Sequence, residues 1–275
     1  MPQTAEEFLK AFHDNNPGLQ SVGVAASPTA KGRTSYEEFA DRVGTPERVL
    51  DLGCADGALL EVFAGRGATT LAGIDLSGAE LALARQRPAL VKADVRVGRA
   101  QELPFEDSAF DAVVSHMALM LMTDVEQVVA EAARVLVPGG VLAVALGGGA
   151  VDGEGMELFL KLARPYFEAA RAAERVMPRL GNRAIRTREG LDEVLTPAGF
   201  APVSWDSIVL DQGGTPEKVW ETNMSVFYDV TVLDEDQLAE LRREFLDAAR
   251  SLVLDGRLAC GMRINFATTH RESSA

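Results

Sequence analysis

The segment Val49-Leu50-Asp51-Leu52-Gly53-Cys54-Ala55-Asp56-Gly57 constrains the fold of this 275-residue chain more than any other. A short apolar run enters a glycine turn and a helical pattern leaves it. It therefore reads as a buried strand, a tight loop and the start of a helix. Gly53 and Gly57 let the backbone take positive φ and approach a bound molecule closely. The same rhythm continues downstream. Strands are predicted over 48–52, 69–74, 94–97, 110–115 and 141–146, and helices over 58–64, 77–86 and 125–135. Near-continuous apolar strands alternating with helices imply a parallel sheet covered on both faces, with ligands bound at the carboxyl ends of its strands.

Beyond Gly147-Gly148-Gly149 the rhythm breaks. Helices are predicted over 156–176, kinked or restarted at Pro165, and over 187–195. A sixth strand follows over 201–210, helices over 216–228 and 234–254, and a seventh strand over 262–269. In front of the core lie a helix over 5–13, a flexible small-residue segment over 21–34 and a helix over 35–43. Ser35 caps that helix with Glu38 as its capping-box partner. Residues 271–275 read as frayed. The expected fold is α/β, a doubly wound, seven-stranded, mostly parallel sheet with helical cap insertions. Its expected parts are an N-terminal helical lid (1–45), a ligand-binding core (46–147) and a helical cap insertion (148–190). Residues 191–275 complete the core and carry inserted helices over 214–257.

Composition narrows the function. Hydrophobic residues make up 47% and charged residues 25%, enough for a packed core. The net charge of −14 and the lack of a basic stripe argue against a nucleic-acid partner. The arginines around 164–188 read as a solvated helix face. Cys54 and Cys260 lie far apart, which favours reduced thiols and a cytoplasmic setting. His13, His116 and His270 are isolated, so no metal site is expected. The N-terminus has neither the basic nor the apolar region of a signal peptide, and the run over 141–149 is too short and glycine-rich to span a membrane.

The glycine turn approximates the G-x-G-x-x-G dinucleotide fingerprint. Charge separates the possibilities: a pyrophosphate needs N–H groups at a helix N-terminus, and Asp56 would repel it. A cationic ligand without phosphate fits two acids flanking the turn better. At this point the chain resembles the class I S-adenosyl-L-methionine (SAM)-dependent methyltransferases. VLDLGCADG is similar to their first motif, with Ala55 where glycine is commoner, and AGIDLS (72–77) to their second. GRAQELPFEDSAFDAVVS (98–115) is similar to their third and fourth, and RVLVPGGVLAVA (134–145) to the turn into the fifth strand. Met120 departs from the family, where many small-molecule members have histidine, and so does Arg99, where an acid is common.

The resemblance implies methyl transfer from SAM, leaving S-adenosyl-L-homocysteine (SAH), to a small-molecule acceptor whose O, N or C atom is undetermined. It also implies cofactor contacts from Asp51, Gly53, Cys54, Ala55, Gly57, Asp75, Leu76, Ala100, Gln101, Glu102 and Ser115. Asp75 would take the ribose hydroxyls. Asp51 either meets the ligand ammonium or holds the loop. His116 is the candidate general base, or a structural histidine. Tyr36, Met117, Met120, Trp220 and Met224 are candidate acceptor contacts, each with core packing as the alternative. Three other readings stay open: an NAD-dependent oxidoreductase, a non-catalytic SAM-binding protein and a nucleic-acid methyltransferase.

Overall fold

The computed structural model describes residues 3–272. Of the terminal segment expected to fray, residues 273–275 lie outside that range. Arg271 and Glu272 are held by backbone bonds to Gly140 and Gly199. The chain opens with helices α1 (Ala5–Asn15), α2 (Leu19–Ala26) and α3 (Ser35–Val43). The core follows as β1 (Arg48–Leu52), α4 (Ala58–Gly65), β2 (Thr70–Asp75), α5 (Gly78–Ala84), β3 (Asp94–Val97), β4 (Phe110–His116), α6 (Val125–Val135) and β5 (Leu136–Ala150). Then come α7 (Gly155–Ala172), α8 (Arg188–Leu195), β6 (Ser204–Asp211), α9 (Pro216–Val226) and α10 (Glu235–Ala249). A small hairpin, β7 (Val253–Leu254) and β8 (Arg257–Leu258), precedes β9 (Gly261–His270).

Seven strands form one sheet in the order β3-β2-β1-β4-β5-β9-β6. All are parallel except β9, which runs antiparallel to both neighbours. Alternation along β1 shows how the sequence builds two layers. Val49 packs with Phe39, Leu60, Phe63 and Leu81 on the face covered by α3, α4 and α5. Leu50 and Leu52 pack with Val128, Val129 and Leu191 on the face covered by α6 and α8. A third cluster lies apart from the sheet, where Phe159 of α7, Trp220 of α9 and Phe245 of α10 share an apolar core. Among the described residues no helix is long and apolar enough to cross a membrane.

Several boundaries differ from expectation. The capping box of α3 is Thr34 with Glu37, one residue earlier than predicted, and Ser35 is the first buried helical residue. Residues 19–26, inside the segment predicted to be flexible, form α2, although none of them is buried. Pro165 is accommodated within α7, which runs unbroken to Ala172. The predicted 234–254 helix ends at Ala249 and gives way to the hairpin.

Candidate active site

The sheet order reverses between β1 and its neighbours β2 and β4, and a cavity of about 620 Å³ opens there over the strand carboxyl ends. Its floor comes from the loops after β1, β2, β3 and β4. Its roof comes from α1, α2 and α9, so the first 27 residues close over the sheet.

The glycine loop is bent by three left-handed residues, Gly53 (φ 75°), Ala55 (φ 45°) and Gly57 (φ 79°). Ala55 thus holds a conformation that favours glycine, which accounts for the family preference there. A Cβ on Gly53 would lie 2.5 Å from that of Ala118, so the loop packs directly against the segment after β4. Four of the loop N–H groups are already used. Those of Gly53 and Cys54 donate to the Ile74 carbonyl, that of Gly57 to Cys54, and that of Ala55 to Asp75. A pyrophosphate would find none of these four free.

Asp56 does not play the part expected of it. It turns away from the cavity, is buried, accepts from Ser21 Oγ at 2.6 Å and pairs with Arg87 at 2.5 Å. Its charge is neutralised within the protein, so the argument that Asp56 repels a dinucleotide fails. The acids that face the cavity from the sheet are Asp51 and Asp75, while Glu6 and Glu221 face it from the roof. Asp75 accepts from the Ala55 and Ser77 N–H groups at 2.9 and 2.8 Å, which aim it from both sides. Asp51 is buried and its Oδ1 has no partner. Burial, and then the neighbouring charge of Asp75, hold the Asp51 carboxyl well above the usual range. Burial also raises Asp75, against the pull of the Ser77 and Ala55 N–H groups. A buried and a half-buried carboxylate facing one space, the first with an orphaned oxygen, call for a cationic partner.

The other predicted residues divide. Gly53, Cys54, Ala55, Leu76, Ala100, Gln101, Tyr36, His116, Met117 and Met120 line the cavity. Gln101 is fixed by donating to the Thr123 carbonyl at 2.8 Å. The Cys54 thiol is pushed well up by burial, which leaves it inert. Gly57, Glu102, Ser115, Trp220 and Met224 do not line it. Gly57 instead gives room to Leu90 and Ala84 beneath the loop. Glu102 points to solvent. Ser115 Oγ donates to Leu52 O and accepts from Leu119 N, bracing the floor from below. Trp220 and Met224 lie on the apolar side of α9, and Trp220 packs 5.7 Å from Phe159 and 5.8 Å from Phe245. An amphipathic helix buries that side, so Lys218, Glu221, Thr222 and Ser225 of α9 line the cavity instead.

Sequence reasoning expected a helical lid over 1–45 but singled out none of the α1 residues that line the cavity, and it named none of the far wall. Glu6 and His13 of α1 line the cavity, as do Tyr228 and the β6–β9 residues Leu210, Gln212, Met262 and Ile264. His13 meets Glu80 through Nδ1 and Tyr228 through Nε2, both at 3.2 Å, linking roof, core and cap. Burial, with the Asp75 and Glu80 carboxylates, pushes the Tyr228 phenol up to about 12. The amphipathic pattern of α1 was a usable signal for the roof, whereas Gln212 and Ile264 had none. Among the described residues no three His, Cys, Asp or Glu side chains converge to hold a metal ion.

Comparison with known proteins agrees with this architecture. Residues 50–144 match the methyltransferase domain family. The chain is 33% identical over 150 residues to the methyltransferase GfsG of Streptomyces halstedii, covering 51% of this chain and 54% of that one. It is 35% identical over 170 residues to the malonyl-[acyl-carrier protein] O-methyltransferase of Geobacter sulfurreducens, covering 60% and 59%. The chain thus spans little more than half the length of these curated relatives. The solved structure of the [4+2]-cyclase SpnF superposes with a TM-score of 0.59 over 98% of both chains at 21% identity, a likeness of fold.

Proposed function

We propose that the protein, whose residues 50–144 match the methyltransferase domain family, binds SAM in the 620 Å³ cavity and transfers its methyl group to a small molecule. The observation that carries this reading is the pair formed by Asp51, buried with one oxygen unpartnered, and half-buried Asp75, facing a space where the N–H groups of Gly53, Cys54, Ala55 and Gly57 are already taken. That arrangement fits a phosphate-free cation and disfavours a dinucleotide.

The residues present fit SAM on their own chemistry. The orphaned Oδ1 of Asp51 suits the ammonium group, and the pre-aimed carboxylate of Asp75 suits a pair of ribose hydroxyls. Ala100 and Gln101, after β3, suit the base. Bound SAM supplies a methyl group already activated by its positive sulfur. The protein's work is then to align the acceptor and keep water out, and a cavity roofed by α1, α2 and α9 does both. The acceptor half is mostly apolar, with Met117, Met120, Met262 and Ile264 on its walls, which favours a partly apolar acceptor.

Calorimetric titration with SAM and, separately, NAD tests the reading. We expect SAM to bind, and Asp75→Ala to weaken it by about 1.5–3 kcal/mol, the loss of charge-assisted hydrogen bonds. Heat from NAD and none from SAM would replace this reading with an oxidoreductase.

A further inference from the structure

The part of the cavity beyond Asp51 makes specific demands on its occupant. His116 ends β4, and Met117 after it holds φ 60°, a left-handed conformation that a bulky side chain rarely adopts. Both residues line the cavity. The Nε2 of the His116 ring is buried with no partner. Its neighbours offer no donor there: Tyr36 packs edge-to-ring at 4.7 Å and Phe39 at 5.7 Å. A neutral imidazole has a proton on one nitrogen and a lone pair on the other, so Nε2 is an acceptor in the tautomer that carries the proton on Nδ1. Burial pushes the imidazole down to about 3, so the ring is neutral and one of its nitrogens is an acceptor.

At the opposite wall, Gln212 donates from Nε2 to Ser27 Oγ at 3.2 Å, while its Oε1 is buried and unpartnered. Turning the amide over exchanges the two atoms and still leaves one orphaned. His116 ends β4 and Gln212 follows β6, strands three spacings apart in the order β4-β5-β9-β6, on the order of 14 Å between backbones. The surface between them is apolar, formed by Leu210, Met262 and Ile264.

We propose that the acceptor is an elongated, largely apolar molecule with a hydroxyl donating to His116 Nε2 at one end and a second polar group meeting Gln212 at the other. This rests on the methyl-transfer reading of the same cavity. A hydroxyl meets the demand of Nε2 without bringing a second cation beside a positively charged donor, as an ammonium would. Transfer to that oxygen makes the C–O bond, breaks the donor's C–S bond and delivers the hydroxyl proton to Nε2. The positive charge leaving sulfur departs with that proton, which a ring held down to about 3 passes on to water rather than keeps.

The test uses the full chain saturated with SAH and titrated calorimetrically with 4,4′-dihydroxybiphenyl and 1,10-decanediol, each beside its dimethyl ether. We expect the diols to bind and the ethers to bind at least about tenfold more weakly. His116→Phe should keep SAH affinity and erase the preference for diol over ether. Gln212→Leu should weaken 4,4′-dihydroxybiphenyl but not 4-phenylphenol. Ethers binding as tightly as diols, no diol binding while SAH binds, or an intact preference in His116→Phe would each overturn the proposal. Failure of SAH itself to bind would overturn the methyl-transfer reading, and this proposal with it.

Discussion

At the scale of single residues, the site is governed by two carboxylates that the empty protein holds at a cost. Asp51 and Asp75 both have carboxyl groups raised above their ordinary range, chiefly by burial. A carboxyl raised by folding binds its proton more tightly in the folded state. Its contribution to stability is full below the unfolded pKa and is lost as pH rises through the folded one. A cation at the site reverses this by favouring the ionised form, so ligand binding should release protons and strengthen with pH. Asp51→Asn removes the buried charge. We expect its melting temperature without ligand to exceed the wild type's by a margin that widens from pH 5 to pH 9, reaching about 1–2 kcal/mol, or a few degrees. SAM affinity should fall about tenfold or more in the same variant. Thermal melts across pH and calorimetry in buffers of different ionisation heat check both halves. A margin that narrows with pH would refute the assignment of Asp51 as an uncompensated charge.

At the scale of elements, the roof is made by tertiary bonds rather than by its own propensity. No residue of α2 is buried, and a left-handed glycine, Gly18, starts it. What holds it is Glu80 on α5, fully buried, whose two oxygens accept from the Gly18 N–H and meet His13 Nδ1. Ser77, the N-cap of α5, donates to Asp14 beside them. The start of α5 therefore fixes both Asp75 and the roof above it. Glu80→Gln replaces one acceptor by a donor and leaves the Gly18 N–H or the imidazole without its partner. We expect a loss of about 1–3 kcal/mol and several-fold faster protease cleavage within residues 16–27, read by limited proteolysis and mass mapping. Unchanged cleavage would mean that the roof is held elsewhere.

At the scale of the whole molecule, the sheet and its two helical layers form cores separate from the α7–α9–α10 cluster and independent of the first 27 residues. Phe39 and Val43 of α3 belong to the sheet's core, whereas α1 and α2 cover the cavity. A chain beginning at residue 28 should melt cooperatively yet bind SAM at least about a hundredfold more weakly, because Asp51 and Asp75 would then be open to water. Differential scanning calorimetry and SAM titration of the truncated chain separate the two effects. Retained affinity would show that the roof is dispensable for the cofactor.

The order of the strands, the glycine turn and the acids Asp51 and Asp75 were legible in the sequence because each leaves a local signature: an apolar run, a positive-φ glycine, an acid at a strand end. The direction in which side chains face was not local. Asp56 reads as a ligand-facing acid until Arg87, 31 residues later, is found to neutralise it. Trp220 and Met224 read equally as core or pocket wall until α7 and α10 pack on that side of α9. Gln212 carries no motif and matters only because β9 inserts between β5 and β6 and brings it over the same cavity as His116. Periodicity along a chain reports which residues share a face. Only the assembled layers decide whether that face meets protein, water or ligand, because burial depends on neighbours distant in sequence.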